Sequence, residues 1–436
     1  MRLLYTLLLY LIVPYALVRL LWRGLRVPGY WRRIGERFGR HSLFQMPRGS
    51  IWIHAVSVGE VQAAVPLVHQ LMKMYPGFPF VVTTTTPSGA QRVQDVFGRH
   101  VTHFYLPYDL PGSVKRFLST IDPRIGIIME TELWPNLFHY CHKRHTPVII
   151  ANARLSARSY AGYKRFAGLT QGLLSKVSLI AAQTTADAER FAALTGGDTQ
   201  IVVTGSLKFD LKLPASLYER AQILRMQLMH HRPVWIAAST HEGEEDLILK
   251  AHKNLLTTVP TLLLVLVPRH PERAGRVATL CRKHHLTYAR RSKGEPVARD
   301  VQVYLGDTLG ELTLLFALSD VAFVGGSLVE RGGQNLLEPA ALGLPVVTGP
   351  YTFNFADITR MMQKVNALYV VHNADELEDQ VRRLLGDANL RHNTGESGRT
   401  LVEQNRGSTE RLVNKIAEIL VPPLALPEEQ SLTPTD

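Results

Sequence analysis

Glu60 follows Ser57-Val58-Gly59 in IWIHAVSVGEVQAAVPLV, residues 51–68, where an alternating apolar run gives way to apolar residues at helical spacing. That change of period sets a lone carboxylate in the first turn of a helix, at the carboxyl edge of a strand. Other strand ends carry reactive side chains as well. IIMETELWPNLF (127–138) puts Glu130 and Glu132 after a strand, and VVTGSLKFD (202–210) puts Lys208 after another. TTTTPSGAQR (83–92) and ANARLSARSYAGYKR (151–165) add hydroxyls and positive charge. A solvated loop would account for any single run; core packing accounts for none of them.

The second half of the chain has a different chemistry. FVGGSLVERGGQNLLEPAALGLPVVTGP (323–350) reads strand, Gly-rich loop, helix, strand. Gly325-Gly326 and Gly332-Gly333 allow close backbone approach, and a helix starting near Asn335 offers N–H groups to a phosphate. Glu338 could accept both hydroxyls of a ribose. The bland reading is a generic strand–helix turn with a solvated glutamate. VPRHPER (267–273) ends an apolar strand with Arg269, whose planar fork of donors suits a phosphate. GDTLGELTLLF (306–316) adds Gly310 and Glu311 at another helix start. STHEGEE (239–245) is of the same kind, but capping explains it equally well and its role stays open.

These residues need two sets of strands to position them. Apolar runs at 50–57, 79–84, 102–106, 125–130, 147–151, 178–182 and 201–205 alternate with helical stretches such as 60–75, 111–120 and 133–144. A second series follows at 233–240, 262–270, 301–308, 321–327, 345–349 and 368–371, and then helix over 374–420. Strand–helix alternation predicts parallel, doubly wound sheets, and 436 residues exceed one ordinary core. The expected division is an anchor with basic flank at 1–26, a first Rossmann-like domain at 27–208, a connector at 209–232, a second Rossmann-like domain at 233–420, and a flexible tail at 421–436.

Composition sets further bounds. Hydrophobic content of 46% with 20% charged residues describes a folded chain. Two distant cysteines offer neither a disulfide framework nor zinc spacing, which suits a reducing compartment. The formal charge of +12 is concentrated at the start, where residues 1–40 hold eight arginines against one acid, Glu36. Nucleic acid is disfavoured as a partner, because those arginines hug an apolar run and lack a stacking platform or reading helix. Leu3 to Val18 carries no charge before Arg19 interrupts, and no small-x-small cleavage site follows. An uncleaved anchor with its arginines on the cytosolic side is expected, spanning the bilayer or lying in its interface.

Taken together, HAVSVGEV, LPYDLP, METELWPN, NARLSARS, VTGSLKFD, STHEGEE, VPRHPER and GGSLVERGGQNLLEP resemble the 3-deoxy-D-manno-octulosonic acid (Kdo) transferases of lipopolysaccharide synthesis. The likeness covers nearly the whole chain, anchor included. It implies two facing Rossmann-like doubly wound domains of the α/β class (the GT-B architecture). It also implies inverting transfer of Kdo from CMP-Kdo to lipid A precursor (lipid IVA) at the cytoplasmic face of the inner membrane. Residue by residue, it makes Glu60 the general base, with a helix dipole holding it ionised, and Glu130 and Lys208 transition-state stabilisers. It assigns CMP contacts to Pro268, Arg269, Leu309, Gly310, Glu311, Asn335, Leu336, Leu337 and Glu338. Gln334 is the one departure noted beside them. No Asp-x-Asp pair occurs, so neither a metal nor any cofactor beyond the donor is expected. Arg32, Arg33 and Arg37 are candidates to grip the acceptor's phosphates. The competing readings are a relative using another nucleotide sugar, an epimerase of the same fold, and a membrane-tethered binding module.

Overall fold

β-Branched and aromatic residues crowd the apolar runs, and such side chains fit a pleated, buried surface. The computed structural model describes residues 2–40, 48–197, 199–211, 213–228 and 232–420. In the first unit the strands are β1 Ser50–His54, β2 Phe80–Thr84, β3 Thr102–Tyr105, β4 Pro123–Met129, β5 Val148–Ala153, β6 Leu179–Ala182 and β7 Ile201–Val203. They pair in parallel in the order β3-β2-β1-β4-β5-β6-β7. In the second unit they are β8 Val234–Thr240, β9 Leu263–Pro268, β10 Tyr288–Arg290, β11 Val303–Leu305, β12 Val321–Val324, β13 Val346–Thr348 and β14 Leu368–Val370. Their order is β10-β11-β9-β8-β12-β13-β14, again parallel throughout.

Helices cover both faces, so β1, β2, β5 and β6 are buried along their whole length and are predominantly apolar. Register matters most where Trp52 of β1 lies opposite Gly126 of β4. A Cβ at Gly126 would meet the indole ring at 2.9 Å. Strand order reverses between β1 and β4 and again between β8 and β12. At such points successive loops diverge at the carboxyl edge and leave room for a ligand.

Three features differ from the sequence expectation. β10 went unforeseen: it is three residues long, and the basic, non-alternating stretch RKHHLT precedes it. The described residues divide into those up to 210 together with 406–420, and those from 211 to 405. Most of the expected connector therefore belongs to the second unit, where Arg225 of helix Leu217–Leu228 grips Asp320 through bonds of 2.9 and 2.8 Å. The second domain ends at Asn405, short of the expected 420. Helix Ser408–Ile419 returns to the first unit and buries Leu412, Val413 and Ile416 in the core of Ile51, Leu67 and Val68. Asp210 accepts from the Gly407 N–H at 2.7 Å and Arg411 donates to the Thr204 carbonyl at 2.9 Å, locking the return. The expected tail at 421–436 lies outside the described residues.

Leu412→Ala should cost about 2–5 kcal/mol, because the side chain is fully buried and its surroundings relax only in part. Urea denaturation measures the loss. An unchanged midpoint would remove the last helix from the first core.

Candidate functional site

In the first unit, the loop after β1 enters helix Val58–Met74 through Ser57, whose hydroxyl caps the Glu60 N–H. Glu60 answers as the acid of a capping box. Its Oε2 accepts from the Val56 N–H at 2.8 Å and its Oε1 from the Ser57 hydroxyl at 3.1 Å. The carboxyl is half-buried, and burial is the main force raising its pKa to about 7. The Val56 hydrogen bond opposes that rise, the negative charge of Glu130 adds to it, the Ser57 hydrogen bond opposes it, and Glu132 adds to it. The expectation that the helix dipole holds Glu60 fully ionised is thus corrected. Desolvation outweighs the first-turn field, and the group divides between acid and base near neutral pH.

The loop after β4 faces the same reversal of strand order. Glu130 takes a left-handed backbone, φ 57°, pinned by its N–H to the Ala151 carbonyl at 2.9 Å. Lys208, after β7, brings its Nζ to 3.9 Å from Glu130 Oε1. Burial, then the Glu130 charge, raises the Glu132 carboxyl. Asn152, at the end of β5, is also left-handed and accepts from the Leu207 N–H at 3.1 Å, fixing the turn before Lys208. Three carboxylates and one ammonium therefore gather at one sheet edge, as their spacing in sequence suggested.

The second unit separates binding groups from supporting ones. Arg269 directly follows β9, exposed, with its N–H on the Thr240 carbonyl at 2.9 Å. Pro268 ends the strand and is buried. Glu338 lies near Arg269, whose charge draws its pKa down while burial, the larger effect, raises it. Asn335 binds Glu338 Oε1 at 3.0 Å through its amide nitrogen and accepts from the Leu337 N–H at 3.1 Å. Leu336 and Leu337 are buried, leaving their backbone as what they can offer. Leu309 is 83% exposed, beside Gly310 at φ 79°.

Two groups here are already engaged. Arg291 grips Glu311 with bonds of 3.0 and 2.7 Å, the Thr308 hydroxyl donates to it, and its pKa falls to about 2. The N–H groups of the Gly325-Gly326 turn are also taken. Glu244, completely buried, accepts from His241 and Gly326 on one oxygen (2.9 and 2.7 Å) and from Ser327 and Leu328 on the other (2.9 Å each). A Cβ at Gly325 would sit 2.9 Å from the Thr240 Cα and 3.0 Å from that carboxylate. STHEGEE, whose role the sequence left open, thus ties the two loops at the β8/β12 reversal. Glu245 beside it is clasped by Arg273 at 2.5 and 3.1 Å. The helix expected to present N–H groups is only Leu337–Ala341, and its Leu337 N–H is already bonded.

The basic flank is likewise partly committed. Arg37 is buried and donates to the Thr85 carbonyl at 3.0 Å, and Arg33 is held by Glu36 at 2.6 Å and by His103. Of the three expected phosphate grips, Arg32 is exposed. Sequence reading also missed His241, which meets Gln334 at 3.3 Å, and the left-handed Ser239 at φ 55° beneath it. The STHEGEE capping pattern was the one signal available.

Two parallel doubly wound units carrying these edges define a two-domain enzyme of the glycosyltransferase class. Residues 240–401 match the family described as Glycosyl transferases group 1. The solved UDP-GlcNAc 2-epimerase of Neisseria meningitidis shares the fold, with a TM-score of 0.55 at 14% identity, covering 85% of this chain and 100% of that one. More specifically, residues 32–211 match the family described as 3-Deoxy-D-manno-octulosonic-acid transferase (kdotransferase). A 3-deoxy-D-manno-octulosonic acid transferase of Haemophilus influenzae is 45% identical over 421 residues, covering 96% of this chain and 99% of its own. One from Bordetella pertussis is 35% identical over 436 residues, covering 95% and 99%. The chain belongs to the 3-deoxy-D-manno-octulosonic acid transferase family.

Glu244→Gln should lower the thermal midpoint by roughly 5 °C or more, since each donor stranded in the interior costs about 1–3 kcal/mol. Differential scanning calorimetry reads the change. A midpoint equal to the parent's would mean the loop N–H groups find other partners.

Proposed function

We propose that the protein transfers Kdo from CMP-Kdo to the hydroxyl of lipid A precursor (lipid IVA) at the cytoplasmic face of the inner membrane, with inversion at the anomeric carbon. The observation that carries this reading is the Glu60 carboxyl. It is half-buried, oriented by two hydrogen bonds, and poised to exchange a proton near pH 7. A general base works best when its pKa lies close to the working pH. The relatives' shared name supplies the sugar, and membership of their family supports extending it to this chain.

In the proposed step an acceptor hydroxyl oxygen attacks the anomeric carbon as its bond to the CMP phosphate oxygen breaks. The bonding pair leaves with CMP, and the hydroxyl proton passes to Glu60. Positive charge grows on the sugar as the phosphate departs, so the Glu130 carboxylate stabilises the oxocarbenium-like centre. Lys208 stands within reach of Glu130 and offsets the phosphate or the Kdo carboxylate. Arg269, Glu338 and the exposed backbone at Leu309-Gly310 are the groups of the second unit that would hold CMP, with Pro268, Asn335, Leu336 and Leu337 shaping their support. Glu311 acts through its ion pair with Arg291, which fixes the start of that loop. No metal or further cofactor enters the scheme.

Glu60→Gln should reduce turnover by about a hundredfold or more while the protein still binds CMP, as expected for losing a general base. With the parent enzyme, kcat should rise with pH through about 7 and level off above, because only the deprotonated carboxyl accepts the proton. Product mass from CMP-Kdo and lipid A precursor, with CMP release at each pH, tests both. Parallel trials with UDP- and ADP-sugars test the donor. Full turnover by the Gln variant, or transfer from UDP-sugars alone, would overturn the reading.

A further inference from the structure

The first helix, Arg2–Arg26, is the one described helix long and apolar enough to cross a membrane. It measures about 37 Å at 1.5 Å per residue, and a spanning segment of that length delivers its two ends to opposite sides of a hydrocarbon layer about 30 Å thick. Here both ends are fastened to the first unit. At the start, the Asn136 amide nitrogen donates to the Thr6 hydroxyl at 3.0 Å, and Arg2 donates to the Asn136 amide oxygen at 3.2 Å. Tyr5 lies against the carboxyl of Asp109, which is itself buried and held by the N–H groups of Asn136 and Leu137 at 2.8 and 2.7 Å. At the other end Trp31 donates to the Leu21 carbonyl at 3.1 Å and closes over Gly24. The next turn is sewn to the first sheet by Arg33 on His103, by Arg37 on Thr85, and by Glu36 on the Tyr105 N–H at 2.9 Å.

The face between those ends is continuous. Tyr5, Leu9, Val13, Leu17, Leu20 and Gly24 recur at helical spacing, and each is at least partly covered. The opposite stripe is open, with Leu3 77%, Leu7 59%, Leu11 70%, Val18 64% and Leu25 70% exposed. A fully exposed apolar stripe of this length marks an interaction surface. Arg19 and Arg23 emerge beside it and Arg32 just beyond, all exposed, which matches anionic headgroups at the level of the stripe.

We propose that this helix lies in the plane of a phospholipid surface, its open stripe sunk to the headgroup–acyl boundary and its first turn latched onto Asp109 and Asn136, and does not cross the bilayer. The occupant is a bilayer containing anionic lipid. The proposal rests on the membrane assignment above but not on the donor or the reaction, and its test reads depth, not turnover.

Nitroxide labels on Leu3→Cys, Leu11→Cys and Val18→Cys in the full chain, bound to vesicles of phosphatidylethanolamine with phosphatidylglycerol, report immersion depth. The native Cys141 and Cys281 are buried and stay in place. All three labels should sit at one shallow depth, about 5–10 Å below the phosphates. A profile that passes through the midplane at Leu11 and emerges on the far side at Leu3 overturns the proposal. Pairing Tyr5→Phe with Thr6→Val should free the Leu3 label, seen as a sharper spectrum, while Val18 keeps its depth. A Leu3 spectrum unchanged by the pair overturns the latch. Binding that is equally tight on phosphatidylcholine vesicles overturns the role of anionic lipid.

Discussion

A parallel sheet that reverses its strand order parts two loops whose backbone N–H groups then have no strand to bond, and buried donors of that kind must find acceptors. Both units of this chain meet the demand with a glutamate just inside the helix that follows the first strand. In the second unit Glu244 receives four N–H groups and is wholly enclosed. In the first, Glu60 receives one N–H and one hydroxyl and stays half-open. The same local device thus yields a structural carboxylate in one sheet and a chemically available one in the other. Saturation with donors makes the difference: four N–H groups occupy the Glu244 carboxylate, whereas Glu60 accepts only two hydrogen bonds and keeps an exposed edge.

The neighbours sharpen that contrast. Burial raises the Glu60 carboxyl, and Glu60 also feels Glu130 and Glu132, which the β4 loop brings to the same edge. Holding Glu130 there requires a left-handed backbone in a non-glycine residue, a conformation that costs about 1–3 kcal/mol and persists only where surroundings over-determine it. The Ala151 carbonyl supplies one restraint and Lys208 another. Strain of this kind at a ligand-facing edge fits a site whose charges are arranged for chemistry at the expense of local stability.

How much of this was legible depends on the range of the interaction. β1, β2, β4 and β9 were readable because burial on both faces leaves continuous apolar runs, and Glu60, Glu130, Lys208 and Arg269 because they interrupt such runs at their ends. The partner of the Gly325-Gly326 turn was not legible, because it is Glu244, 82 residues away, and no local period encodes that meeting. The partner of Glu311 was hidden for the same reason: Arg291 lies 20 residues earlier, in a stretch dense with charge. Helix Ser408–Ile419 looked like the continuation of its predecessors, since amphipathic helices share one pattern whichever core they cover. Its destination is decided by Asp210 and Thr204, contacts across nearly 200 residues that only the folded chain reveals.

The loop Glu130–Asn136 joins these threads. Its first residue is the strained Glu130, its third is Glu132, and its last is Asn136, which holds the start of the apolar first helix. Seven residues therefore connect the charged edge to the apolar first helix, and the span is stiffened by Pro135 opening the next helix and by the Asn136 and Leu137 N–H groups on Asp109 at 2.8 and 2.7 Å. Under the proposed function, a loose linker would leave the carboxylates free to drift relative to an acceptor held in a bilayer. A short, tethered one would remove that freedom in advance, so that less orientational entropy would remain to be lost when the hydroxyl met its base. Under the proposed function Asn136 matters to the reaction without touching it, through the distance it fixes between the apolar first helix and a half-buried acid.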